Sequence, residues 1–225
     1  MLEIYAPDGT KTFDSNQSNF SLKGKYVVSP GAPIVTDITS PSSGYPYTFT
    51  VPDCIAPFVC LAGGPGVNSL LTLYTAVRSG SDVTYTYISS TNYPVTFYAF
   101  DFTYAAVDNP DAVNYGLQTF DENGVMTLDL VQCRLLRVIS ELVFDSNNSV
   151  PEVVVPVGKT YAIGFSEVGS EVRQAVGEQF AVSFGLIGTN ASGSIYAGTT
   201  LTIFNTFLAE GLTSSSAIVV DVTGY

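Results

Sequence analysis

The sequence predicts an all-β chain built as two tandem β-sandwich-like domains related by internal duplication. Three observations predict it. Thr, Val, Tyr, Phe, Gly and Ser dominate while charged residues make up 12% of the 225, a composition that favours strands and turns over helices. Short apolar runs of strand length are separated by clusters of Gly, Pro, Ser and Asn. One strand–turn–strand pattern occurs twice, at "LEIYAPDGTKTFD" (Leu2 to Asp14) and at "YGLQTFDENGVMTLD" (Tyr115 to Asp129).

Each copy of that pattern reads as a β-hairpin. "LEIY" alternates apolar and polar residues, the period of a half-buried strand. "APDGT" is a turn in which Pro presets φ near −65° and Gly accepts a positive φ, and "DENG" achieves the same with Asn-Gly. A constant offset of 115 carries Leu2 onto Leu117, Tyr5 onto Phe120, Asp8 onto Asn123, Gly9 onto Gly124 and Thr12 onto Thr127. Phe13 then meets Leu128, Asp14 meets Asp129, Gln17 meets Gln132 and Phe20 meets Leu135, all without a gap.

The remainder of each half reads as strands. In the first half they are "YPYTFTV" (Tyr45 to Val51), "SLLTLYTAV" (Ser69 to Val77), "DVTYTYIS" (Asp82 to Ser89) and "PVTFYAFDF" (Pro94 to Phe102). In the second they are "RLLRVISELVF" (Arg134 to Phe144), "EVVVPV" (Glu152 to Val157), "TYAIGFS" (Thr160 to Ser166), "QFAVSFGLIG" (Gln179 to Gly188), "TLTIFNTFL" (Thr200 to Leu208) and "AIVVDV" (Ala217 to Val222). "EVGSEVRQAV" (Glu167 to Val176) is the best helical candidate. The predicted division is a first domain over 1–106, a short stiff linker over 107–114 and a second domain over 115–225.

Composition narrows the function. With 8 Lys and Arg against 20 Asp and Glu, the net charge of −12 argues against nucleic acid or an anionic membrane as partner. The absence of histidine removes the usual general base and the commonest metal ligand. No apolar run approaches the roughly 20 residues of a membrane helix. "MLEIYAPDGT" has neither a basic nor an apolar signal-peptide region, which predicts synthesis in the cytoplasm. Cys54 and Cys60 suit either a disulfide or two buried apolar side chains.

Candidate residues are few. Asp121, Asn123 and Gly124 echo the start of a calcium loop, but the terminal bidentate Glu is missing and a plain turn accounts for them. No catalytic, cofactor or metal residues are assigned. Tyr85 and Tyr87 share one strand face, which can be core or a stacking surface for a sugar or another chain. Arg134 and Arg137 are two of the few cations, set in an apolar strand of an acidic protein. At i and i+3 they point to opposite faces unless a bulge intervenes. One suits an acid within its own domain and the other a neighbouring chain. Arg134, Arg137, Tyr85 and Tyr87 are thus the expected interface residues.

The run Tyr115-Gly116-Leu117-Gln118, Phe120, Asn123-Gly124, Leu128-Asp129 and Arg134-Leu135-Leu136-Arg137-Val138 resembles the opening of small virion proteins of tailed bacteriophages associated with the tail tip or fibres. The first half keeps Leu2, Tyr5, Gly9 and Asp14 but has Asn19 and Leu22 at the Arg positions. The resemblance implies a non-enzymatic structural protein of the virion, partnered by other virion proteins and copies of itself. A mean hydropathy of +0.28 with so little charge fits a surface partly covered by neighbours. A symmetric oligomer is expected, a trimer on a tail axis. A module binding host surface glycan through Tyr85 and Tyr87 is the alternative from a different class, and capsid decoration is a third position for the same structural class.

Overall fold

A computed structural model describes residues 3–5, 11–14, 19–35, 43–62, 68–89, 92–102, 118–129, 136–145, 152–155, 158–167, 170–175, 178–189, 194–202 and 214–225. The described elements are all strands. The first half gives β1 (Glu3–Tyr5), β2 (Lys11–Asp14), β3 (Phe20–Val28), β4 (Ile34–Val35), β5 (Ser43–Val51), β6 (Phe58–Ala62), β7 (Asn68–Ser79), β8 (Asp82–Ser89) and β9 (Val95–Phe102). The second gives β10 (Gln118–Phe120), β11 (Met126–Asp129), β12 (Val138–Asp145), β13 (Glu152–Val154), β14 (Tyr161–Glu167), β15 (Ser170–Ala175), β16 (Glu178–Thr189), β17 (Ser194–Thr202) and β18 (Ser214–Asp221). The helical candidate over Glu167 to Val176 is instead largely β15, whose six residues each pair with one of β16. Ladder pairing outweighs a weak local preference there.

Both predicted hairpins form, as separate two-stranded sheets. Their registers coincide under the offset of 115. Glu3 faces Asp14 and Gln118 faces Asp129, Ile4 faces Phe13 and Thr119 faces Leu128, and Tyr5 faces Lys11 as Phe120 faces Met126. Each ladder slips at the same step, Ile4/Tyr5 and Thr119/Phe120.

The other strands make two large antiparallel sheets, one of six strands in the order β12-β18-β14-β6-β9-β3 and one of eight containing β13-β17-β16-β7-β8-β5-β4 with β15 on β16. Both run across the predicted domain division. Ile163 of β14 pairs with Leu61 of β6, and Leu186 of β16 pairs with Leu71 of β7. The halves are therefore joined edge to edge rather than standing as separate sandwiches. The reason is the unpaired backbone that an open edge would expose: each half supplies the neighbour that the other's β6/β7 or β14/β16 lacks. The proposed linker, 107–114, lies outside the described residues.

Outward from the join the halves correspond strand by strand, β6-β9-β3 with β14-β18-β12 and β7-β8-β5 with β16-β17-β13. Both of these outer ladders in the six-stranded sheet carry a slip. The β3–β9 ladder slips between Leu22 and Gly24, opposite Phe100 and Ala99, and the β12–β18 ladder slips between Val138 and Ser140, opposite Val220 and Val219.

The main core lies between the two sheets. Along β5, β8 and β9 alternate residues point into it, so Tyr47, Phe49 and Val51 meet Val83, Tyr85, Tyr87, Val95 and Phe97, all buried. The ring of Phe49 lies 4.6 Å from that of Phe97 and 6.4 Å from that of Tyr87. The opposite face of β5 and β8 is hydroxylated, with Thr48 Oγ1 3.1 Å from Thr86 Oγ1 and Thr50 Oγ1 2.9 Å from Thr84 Oγ1.

The central strands of the six-stranded sheet, β6, β9, β14 and β18, are buried on both faces. Val59 and Leu61 belong to the main core, while Cys60 and Ala62, pointing the other way, join Tyr98, Phe100, Ala162, Val220 and Val222 in a second cluster. The sheet curls so that its two edges approach: Leu136 N, just before β12, donates to Phe20 O of β3 at 2.8 Å. Close packing inside the curl explains its small residues. At Gly164 a Cβ would lie 2.5 Å from Phe58 Cζ and 2.9 Å from Cys60 Sγ. Cys54 and Cys60 are free and buried, and burial pushes the thiol pKa of Cys60 well up.

Candidate interaction surface

Tyr85 and Tyr87 share a face, as the alternation predicts, and that face is the main core. Tyr85 is 8% exposed and Tyr87 4%, with the Tyr85 hydroxyl donating to Pro57 O at 3.0 Å. Burial raises the Tyr85 pKa to about 12 and that of Tyr87 further. Neither ring offers a stacking surface. Strand periodicity tells which side chains lie together, while the sheet packed against them decides which face is dry.

Arg137 takes the role of the arginine paired within its own chain. Its guanidinium donates to Thr223 O at 2.9 Å, lies 3.7 Å from Asp221 Oδ1 and covers the Tyr225 ring at 4.7 Å. Arg134 lies outside the described residues.

Around Asp221 the chain forms a polar clasp. Lys159 Nζ donates to Oδ2 at 3.0 Å and Thr223 N to Oδ1 at 2.9 Å. Burial alone would raise the Asp221 pKa; the Thr223 hydrogen bonds, Lys159 and Arg137 together outweigh it and hold the carboxyl at about 2. Lys25 of β3 donates to Tyr225 O at 2.8 Å and sits 5.3 Å above the Tyr98 ring. The segment after β18 is thus bonded to both edges of the six-stranded sheet.

The first half has a counterpart at Asp101, which pairs with Ser21 in the ladder as Asp221 bonds to the Arg137 backbone. Its carboxylate accepts from Ile55 N at 2.7 Å, Ala56 N at 3.0 Å and Phe102 N at 2.8 Å. Arg78 fixes the same loop by donating to Cys54 O at 3.0 Å and Ile55 O at 2.8 Å. Sequence reasoning passed over both aspartates. The signal was an Asp between apolar residues in "AFDF" and "VVDV", each at the end of the last described strand of its half.

Lys25, Arg78, Arg137 and Lys159 are each bonded to groups of their own chain. Exposed apolar residues include Val27 on β3, Tyr74 and Val77 on β7, Tyr93, Val138 and Ile139 on β12, and Phe120 and Val125 at the tip of the β10–β11 hairpin. That tip is tightly tied. Asp121 N donates to Val125 O at 2.9 Å, Asp121 Oδ1 accepts from Asn123 N and Val125 N at 2.8 Å each, and Gly124 adopts φ 79°. These turn amides hold the Asp121 pKa below its ordinary value, the bond from Val125 N foremost. The calcium-like "DENG" is a hydrogen-bonded turn, and among the described residues no cluster of acidic or cysteine side chains has the make-up of a metal site.

Among known proteins, the chain matches no family model, no curated protein and no solved structure.

Proposed function

We propose that the chain is a non-enzymatic structural protein of a tailed-phage particle, placed at the tail tip, baseplate or fibre attachment and acting through protein–protein assembly. One observation carries the reading. The segment bearing the virion-protein resemblance, Tyr115 to Val138, includes a hairpin that forms its own two-stranded sheet and displays Phe120 and Val125 to solvent. Exposed apolar residues on a fixed turn suit a contact between chains better than a reaction. We also read the two halves as copies of one ancestral unit, supported by the matching hairpin registers and matching bulges. The glycan-binding alternative loses its platform with the burial of Tyr85 and Tyr87.

The test is immunogold labelling of purified particles with antibody against the chain, together with mass spectrometry of the same particles. Gold at the tail end is the expected result. Gold over the head would make the chain a decoration protein, and absence from the particles by both methods would end the virion reading.

A further inference from the structure

We infer that the β10–β11 hairpin tip, Phe120 to Val125, is a docking knob for a different protein of the particle, one presenting an apolar socket rimmed by Lys or Arg. The inference rests on the assembly role proposed above and names the contact that performs it.

The tip has an apolar part and a charged part. Phe120 is 51% exposed and Val125 40% exposed, although the neighbouring Thr119, Thr127 and Leu128 are buried. Thr119 and Thr127 anchor the hairpin's inner face through hydroxyls 2.9 Å apart, and Asn19 N and Nδ2 of the first half donate to Thr127 O at 3.2 and 3.0 Å. The base is therefore fixed to the body while the tip projects. Between Phe120 and Val125 come Asp121 and Glu122, the latter exposed. An aromatic anchor on a turn already locked by its own hydrogen bonds loses little conformational freedom on binding, which favours a hot-spot contact.

Charge chooses the partner. The chain carries −12, with 8 Lys and Arg against 20 Asp and Glu. A second copy would bring more negative charge to an acidic tip, and an anionic membrane or nucleic acid would do the same. A protein with a cationic rim sets opposite charge against Asp121 and Glu122 while its socket takes Phe120.

The experiment places the photo-crosslinking residue p-benzoylphenylalanine at position 120 of the full chain during infection, purifies the particles, irradiates them and sequences the cross-linked peptide. The same residue at position 77, on exposed β7, is the control. The expected result is a cross-link from 120, absent from 77, to a different virion protein through a peptide combining apolar residues with Lys or Arg. In parallel, Phe120→Ala and Glu122→Lys should each lower incorporation into particles by about tenfold or more, with unchanged circular dichroism and melting, while Val77→Ala incorporates normally. A cross-link to a second copy, a peptide lacking Lys and Arg, or full incorporation of both variants would overturn the docking inference alone. A wild-type chain missing from the particles would overturn the assembly reading, and this inference with it.

Discussion

Asp101 and Asp221 occupy the same station in the two halves, each one residue beyond the slipped step of its ladder and each buried. They are satisfied differently. Asp101 is held by backbone N–H groups of Ile55, Ala56 and Phe102, whereas Asp221 is held by Lys159, Arg137 and the Thr223 amide.

This difference sets the cost of removing each. Asp101→Ala removes one buried acceptor from three backbone donors at once, Ile55 N, Ala56 N and Phe102 N, so we expect a loss of about 2–4 kcal/mol. Asp221→Ala frees Lys159 and Arg137, whose side chains are 50% and 46% exposed and rehydrate readily. Its loss should be smaller, about 1–2 kcal/mol. Urea denaturation of both variants checks the order, and equal losses would refute it.

Acid should loosen the clasp. The folded pKa of Asp221 is about 2, below its ordinary 3.8, so folding favours its charged form. That stability is fully present above the ordinary value and is lost as pH falls through about 4 to 2. Urea midpoints at pH 6 and at pH 2.5 should therefore differ less for Asp221→Asn than for the parent chain. An identical pH dependence in the two proteins would show that the carboxylate is not held as described.

The join between halves is sterically tight at Gly164. The alanine Cβ would press on the Phe58 ring and Cys60 Sγ, both inside the curled sheet. Gly164→Ala should cost about 1–3 kcal/mol, as overpacking does. Adding Phe58→Leu, which removes the clashing ring edge, should recover part of that loss in thermal unfolding.

Tyrosines on the two kinds of surface should behave differently. Tyr87→Ala empties a buried site among Phe49, Tyr85 and Phe97 and should cost about 3–5 kcal/mol. Tyr74→Ala removes a ring that is 53% exposed and should stay within about 0.5 kcal/mol of the parent. Melting curves of the two variants separate core from surface directly.

The halves should need each other. A chain of residues 1–114 leaves β6 and β7 without their inner neighbours, and a chain of 115–225 leaves β14 and β16 so. Neither should give a folded monomer; each should self-associate or aggregate through those edges. Mixing the two during refolding should yield a 1:1 complex with the parent circular dichroism. Size-exclusion chromatography checks this, and a stable monomeric half would contradict the shared-sheet arrangement.

The sequence by itself determined the strand-rich class, the pairing of both hairpins, the turn of the second, and the constant offset between them, because turn chemistry and two-residue alternation are local. It also placed Tyr85 and Tyr87 on one face and reserved an arginine for an acid of its own chain. Only the tertiary structure decided that this face is core, that the arginine is Arg137 with Asp221 as its acid, and that Asp101 fixes the 53–56 loop. It decided too that the halves complete one another's sheets. Each of these depends on pairing between segments far apart in the chain, where burial and the need to satisfy backbone edges choose the partner, and a local pattern carries no record of that choice.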